Sequence, residues 1–356
     1  MFQKGLKDVV AVHTKIASVD GDKGELRYRG ELVDKIIPNA TFEQLSTFLW
    51  TGEKEPVSSL LKEGRVLPEH VLNLLGQLPI DLQVMDVLKV AVSAYGTPSF
   101  LGKSTYEQSV ILTAALPVIV AFYYRRQQGL EPLSSLDNLG HTANFLYLLT
   151  GISPTPAQVE ALETYLLLTM EHGLNASTFA ARVTISTESD IPSAIVSALG
   201  TMKGPLHGGA PSGVLDLLDE MQSPEGVRAV IEEKLARGER IMGFGHRIYK
   251  TEDPRSIVLR EKCLSLQGED AWLDLATFAE KEIIHLLNEH KPGRKLYTNV
   301  EFYAAAIMRA INLDPALFTP TFSVARIVGW TAHAMEQAED NTIFRPQSVY
   351  IGKTFV

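Results

Sequence analysis

From Thr41 onward, apolar residues recur at three- and four-residue spacing, with glycine or proline at most joints. That period constrains the fold more than any other feature of the chain. It gathers apolar side chains on one face of a helix, whereas a half-buried strand needs strict alternation. The first segment shows the pattern in full. Thr41 is a candidate N-cap, Phe42, Leu45, Phe48 and Leu49 share a face, and Gly52 is a stop signal. The same reasoning predicts helices at about 67–78, 82–94, 104–128, 137–151, 156–171, 176–186, 191–203, 211–221, 225–237, 253–265, 270–289, 300–311 and 321–337. Only the first forty residues read otherwise. Val9-Val10-Ala11-Val12 and Leu26-Arg27-Tyr28-Arg29-Gly30 have strand character, with an Asp20-Gly21 turn signal between them. No repeat of solenoid length is present. The expectation is an all-α fold with a short N-terminal strand-and-turn region.

A chain of 356 residues can form two domains or one large one. The stretch from about 208 to 306 is richer in charge than what precedes it (Glu232-Glu233-Lys234, Arg237 to Arg240, Lys250 to Asp253). We expect it to be a smaller domain, 208–306, inserted into a large helical domain of 1–207 plus 307–356. The formal net charge of −9 argues against a general nucleic-acid or membrane-surface binder, because phosphate backbones demand basic patches. The longest apolar run, Val110 to Tyr124, is interrupted by Thr113 and Pro117 and ends in Arg125-Arg126. A membrane span needs ~20 apolar residues, so the run reads as a buried core or subunit-interface helix. The single cysteine, Cys263, excludes intramolecular disulfides and a cysteine-based zinc site. That fits a reducing cytoplasm. Met1 to Gly5 carries no apolar signal core and reads as untargeted.

Three polar islands interrupt the helical pattern. Gly204-Pro205-Leu206-His207-Gly208-Gly209-Ala210 sets a histidine among glycines between two helices. Glycines there let the backbone approach a ligand, and the following helix N-terminus favours negative charge. His207 could therefore stay neutral and donate to a developing enolate oxygen; the bland alternative is a solvated turn histidine. Gly243-Phe244-Gly245-His246-Arg247 lacks the third glycine of a dinucleotide fingerprint. It leads to Asp253-Pro254-Arg255, where Arg255 offers a planar fork for a carboxylate, and Arg247 and Lys250 add charge suited to phosphates. Its bland alternative is an exposed basic loop. Asn299-Val300-Glu301 opens a clear helix, with Asn299 as N-cap and Glu301 in the first turn, where the dipole favours the carboxylate. Simple capping would explain Glu301 equally well. His172 ends one helix before a capping Asn175 or Ser177. His13, His70, His141, His285, His290 and His333 read as surface or core histidines, and no metal pair is suggested.

Taken together, Glu171-His172-Gly173-x-Asn175-Ala176-Ser177-Thr178, the His207 island, Gly243-Phe244-Gly245-His246-Arg247-x-Tyr249-Lys250-x-x-Asp253-Pro254-Arg255, and Tyr297-x-Asn299-Val300 resemble the signature blocks of the citrate synthase family. The likeness covers nearly the whole chain, from Gly5-Leu6-Lys7-Asp8 to Tyr350-Ile351-Gly352, and the length is similar to the short bacterial form. The resemblance implies a mostly helical homodimer whose small domain closes over the substrates, acetyl-CoA and oxaloacetate, with no metal or tightly bound cofactor. It implies that His207 stabilises the enol and that His246 polarises the oxaloacetate carbonyl. His172, Arg255 and Arg326 (in Ser323-Val324-Ala325-Arg326) would bind oxaloacetate, and Arg345 would reach in from the partner subunit. Lys250, with Arg247 and Lys295, would meet coenzyme A phosphates. One departure stands out. Where the family carries aspartate as the base that takes the acetyl-CoA methyl proton, this chain has Glu301, one methylene longer. The close relative 2-methylcitrate synthase, acting on propionyl-CoA, shares these blocks. A weakly active acyl-CoA-binding or regulatory homologue is the reading from another class.

Overall fold

The computed structural model describes residues 2–6, 8–56, 58–208, 212–245, 248–290 and 296–353. Helices stand where the apolar period places them. Thr41 caps Phe42–Thr51: its hydroxyl accepts from the Gln44 amide while the Gln44 side chain returns to the Thr41 amide, and Gly52 closes the helix with φ 87°. Asn175 caps Ala176–Ile185 and Asn299 caps Val300–Ala310. Short helices at Val33–Ile36, Ser58–Gly64 and Pro98–Leu101 add to the pattern. They are too brief for a period to declare itself.

The apolar run at Val110 is the middle of Thr105–Gln127, begun by a capping box between Ser104 and Glu107. Its mean hydropathy reaches 1.4, yet 72% of that window is buried by neighbouring helices. Arg125 at its end is buried too, and donates to the carbonyls of Glu131 and Leu149. A lipid-facing helix would leave that guanidinium without such partners.

Phe318–Glu339 runs through the core and packs on Phe42–Thr51, Thr105–Gln127, Pro156–Thr169, Ala176–Ile185 and Ile191–Met202. It is buried nearly all round: Val324, Ile327, Val328 and Trp330 have no exposed surface. Each such side chain contributes ~1.5–3 kcal/mol on leaving water. The helices Ser212–Met221, Pro224–Ala236, Pro254–Ser265, Ala271–His290 and Val300–Ala310 pack on one another, and Pro254–Ser265 and Val300–Ala310 also pack on Pro156–Thr169.

The N-terminal sheet is antiparallel, β1 (Ala17–Asp20), β2 (Glu25–Tyr28) and β3 (Glu31–Leu32) in that order, with Ala17 opposite Tyr28 and Asp20 opposite Glu25. The Asp20-Gly21 turn joins β1 and β2 as expected. Val9 to Val12 is not a strand: among the described residues it has no pairing partner, and Val9 and Val10 are exposed. A short run of mostly β-branched residues does not by itself supply a partner strand.

Candidate active site

Two of the three islands are tied directly to each other, and the His207 turn is anchored to the long core helix. The Gly243–Gly245 segment bridges to Tyr297–Asn299: the Asn299 amide donates to Gly243 O (2.9 Å), the Gly245 amide to Tyr297 O (2.7 Å), and Asn299 Nδ2 to Gly245 O (2.9 Å). Gly243 needs its φ of 86°, and a Cβ there would press on Phe302 Cβ at 2.9 Å. The His207 turn closes on Gly204 O and is anchored where Thr319 Oγ1 donates to Gly208 O (2.7 Å).

These elements enclose a cavity of about 300 Å³ lined by His172, His207, Arg255, Glu301 and Arg326, with Tyr165, Ile248, Phe318 and Phe322 among its apolar walls. Five residues singled out from separate stretches of sequence thus share one pocket. His246, Arg247 and Lys295 lie outside the described residues. Lys250 is not on the cavity wall; its ammonium pairs with Asp22 at 2.6 Å. Arg345 is exposed and lines a different groove, with Trp50, Arg182 and Glu336. Among the described residues no group of three or more His, Cys, Asp or Glu could hold a metal.

His207 is held by groups that fix its proton. The Ser177 amide donates to His207 Nε2 (3.3 Å), and Ser177 Oγ sits 2.7 Å from the same nitrogen. An amide can only donate, so Nε2 accepts and the ring proton belongs on Nδ1. Trp330 Nε1 donates to Ser177 Oγ (2.9 Å), which turns the hydroxyl proton away from the indole, toward His207 or Asn175 Oδ1. Burial first, and the Arg326 charge second, lower the His207 pKa to about 4. The ring is neutral at physiological pH.

Arg255 is buried and clasped by Asp253, from Nε to Oδ1 (3.0 Å) and from Nη2 to Oδ2 (2.8 Å). Asp253 also caps the helix that carries Arg255. Arg326 is buried as well; its Nε donates to Thr169 O (2.6 Å) and its guanidinium lies 4.7 Å from the Phe322 ring centroid. Two buried guanidiniums thus line one cavity, the Arg255 charge being met by Asp253. His172 Nε2 lies 3.0 Å from the Tyr249 hydroxyl.

Glu301 departs from the sequence expectation. Its amide donates to Asn299 Oδ1 (3.0 Å), as capping requires. Its carboxyl, however, is not held in the ordinary range by the dipole. Burial raises its pKa, with Asp253 adding to the rise and Arg255 and Arg240 opposing it. Desolvation by walls drawn from distant helices outweighs a first-turn effect worth ~0.3–1 kcal/mol.

Sequence reasoning gave no role to Asp253, Trp330 or Tyr249, and read Ser177 only as a candidate helix cap. Asp253 had a readable signal, an acid two residues before Arg255 across a helix-starting proline. Trp330 had none, because it meets Ser177 only through tertiary packing.

The family model described as "Citrate synthase, C-terminal domain" matches residues 5–347. The chain belongs to the citrate synthase family. It is 36% identical to the citrate synthase of Synechocystis sp., over 99% of this chain and 91% of the relative. It is 37% identical to the 2-methylcitrate synthase of Mycobacterium tuberculosis, with the same coverage. It also superimposes with a TM-score of 0.86 on citrate synthase from the thermophilic archaeon Thermoplasma acidophilum, in ternary complex with carboxymethyl coenzyme A and oxaloacetate. That match is 29% identical and covers 100% of this chain and 97% of the other. The mostly helical architecture with a small N-terminal sheet is the family's fold.

Proposed function

We propose that this protein condenses acetyl-CoA with oxaloacetate and hydrolyses the resulting citryl-CoA to citrate and free CoA, as an acyltransferase with no tightly bound cofactor. The observation that carries the reading is the pairing, in one cavity, of a neutral Nδ1–H histidine and a half-buried carboxylate. Such a pair suits enolisation: Glu301 takes a proton from the thioester methyl group while His207 donates to the thioester oxygen. The enol carbon then attacks the oxaloacetate ketone as His246 donates its proton to that oxygen. Water finally displaces CoA from the thioester. His172, Arg255 and Arg326 hold the dicarboxylate in register, which raises its effective molarity. Arg247 and Lys295 meet the CoA phosphates, and Lys250 joins them only by leaving Asp22.

In this reading residues 208–306 form a small domain that closes on 1–207 plus 307–356 and keeps water from the enol until citryl-CoA exists. We place the enzyme in the cytoplasm, consistent with the buried, free thiol of Cys263.

The relative that acts as 2-methylcitrate synthase supports a second reading, with propionyl-CoA as the acyl donor. One methylene is worth only ~1–3 kcal/mol, so the ratio of kcat/KM for acetyl-CoA to that for propionyl-CoA decides. A ratio above one is expected; a ratio well below one assigns the second reaction.

The proposal includes a homodimer with shared sites. Arg345 follows the long core helix in an extended tail, anchored where the Phe344 amide donates to Ser186 Oγ (3.2 Å), and lies away from its own cavity. Arg345→Ala is expected to raise the KM for oxaloacetate strongly. Mixing it with Arg255→Ala should restore activity in heterodimers, one site of which is intact. No restoration, with subunit exchange verified, removes the shared site.

The acid limb of the rate profile follows from the two pKa directions. As pH falls, Glu301 protonates while still above the ordinary carboxylate range, and a protonated base cannot work; His207 becomes charged only near pH 4. The acid limb of kcat should therefore report Glu301 and should move in Glu301→Asp. A limb that Glu301→Asp leaves in place contradicts the assignment.

A further inference from the structure

The β1–β2 hairpin touches both walls of the cavity. On one side, Tyr28 of β2 is fully buried, and its hydroxyl faces Leu167 O, Leu168 O and Glu171 O at 3.0–3.2 Å while accepting from the Glu171 amide. Val19 of β1 abuts Gly173. The strands thereby hold the residues on either side of His172. On the other side, the hairpin turn meets the segment running from Ile248 to Glu252. The Lys250 amide donates to Gly21 O (2.9 Å), and the Lys250 ammonium pairs with Asp22 (2.6 Å). The backbones are so close that a Cβ on Gly21 would overlap the Ile248 carbonyl oxygen, and one on Gly24 would come within 2.9 Å of Glu252 O.

That second segment carries Ile248 of the cavity wall and Tyr249, and it leads directly into Asp253 and Arg255. The two segments meet in the 3.0 Å contact between His172 Nε2 and the Tyr249 hydroxyl. We infer that the hairpin is a clasp: it sets the spacing between the His172 wall and the Tyr249–Arg255 wall, and Gly21 is its positioning residue. The exposed Lys250–Asp22 pair contributes little by itself, being open to solvent and salt. The backbone contact at Gly21 is what sets that spacing in the closed site, because carbonyl and amide groups cannot rotate out of the way as side chains can. The inference rests on the reading of His172 and Arg255 as oxaloacetate ligands.

Gly21→Ala tests it. Gly21 does not occupy the positive-φ region, so alanine fits its local backbone, and its Cβ collides with Ile248, most closely with the carbonyl oxygen. The variant should raise the KM for oxaloacetate roughly tenfold, as a sub-ångström misplacement of substrate-holding groups would. The Tm should fall, because the Ile248 carbonyl has to give way, but at a temperature where the variant is folded the KM for acyl-CoA should stay near the wild-type value, a split that general destabilisation would not produce. An unchanged oxaloacetate KM, in a series where the wild type turns over, overturns the clasp; no turnover by the wild type overturns the functional reading instead. If Gly21→Ala does not fold, hydrogen exchange on the wild type decides. Oxaloacetate should raise amide protection in 20–24 and 248–252 together, and protection confined to 248–252 overturns the clasp.

Discussion

Glu301→Gln is expected to lower kcat by at least ~10³-fold, within the range that loss of a positioned general base produces. The amide keeps the size and hydrogen-bonding reach of the carboxyl, and Asn299 still caps the helix through the backbone amide of residue 301, so folding should be spared. What is lost is the capacity to accept a proton. Glu301→Asp keeps that capacity, so it should retain activity within about tenfold, the cost being reach alone. Exchange of the acetyl-CoA methyl protons with deuterated water, with a non-reacting oxaloacetate analogue present, isolates the step. Exchange should vanish in Glu301→Gln and persist in Glu301→Asp. Near-normal kcat in Glu301→Gln contradicts the assignment of the base.

His207→Ala should cost roughly 10²–10³-fold in kcat, the usual consequence of losing a preorganised donor to a developing oxyanion. The loss falls on enolisation, so methyl-proton exchange should disappear with turnover. His246→Ala should behave differently, keeping exchange while condensation fails. Trp330→Phe is a subtler companion: it leaves His207 in place and removes the indole donor that orients Ser177 Oγ. A several-fold fall in kcat with an unchanged oxaloacetate KM is expected, since only the histidine's hold on its proton is loosened. If His207→Ala and His246→Ala lose exchange and condensation equally, with folding intact, the division of labour between them is wrong.

Sequence pattern carried most of the helices because each is declared by its own residues. Phe42–Thr51 has its cap, its apolar face and its stop within a dozen positions. Asn299 and Glu301 were legible for the same reason, as were Asp253, Pro254 and Arg255 in a row. What stayed hidden depends on partners far along the chain. Ser177 meets Trp330 and His207 only after two long helices cross. The hairpin's hold on Lys250 joins opposite parts of the sequence through backbone atoms, which no residue pattern announces. The Glu301 charge was misjudged in the same way. Its helix end is local and visible, whereas its desolvation comes from cavity walls supplied by distant helices. Val9 to Val12 shows the reverse error, a local pattern that finds no partner strand among the described residues.

The most direct measurement is release of free CoA thiol by the purified protein given acetyl-CoA and oxaloacetate, with the organic acid product identified in the same reaction. Thiol release that requires oxaloacetate, is matched mole for mole by citrate, and disappears in Glu301→Gln is the predicted result. No thiol release, or release that proceeds equally without oxaloacetate, would contradict the assignment of this cavity to carbon–carbon bond formation.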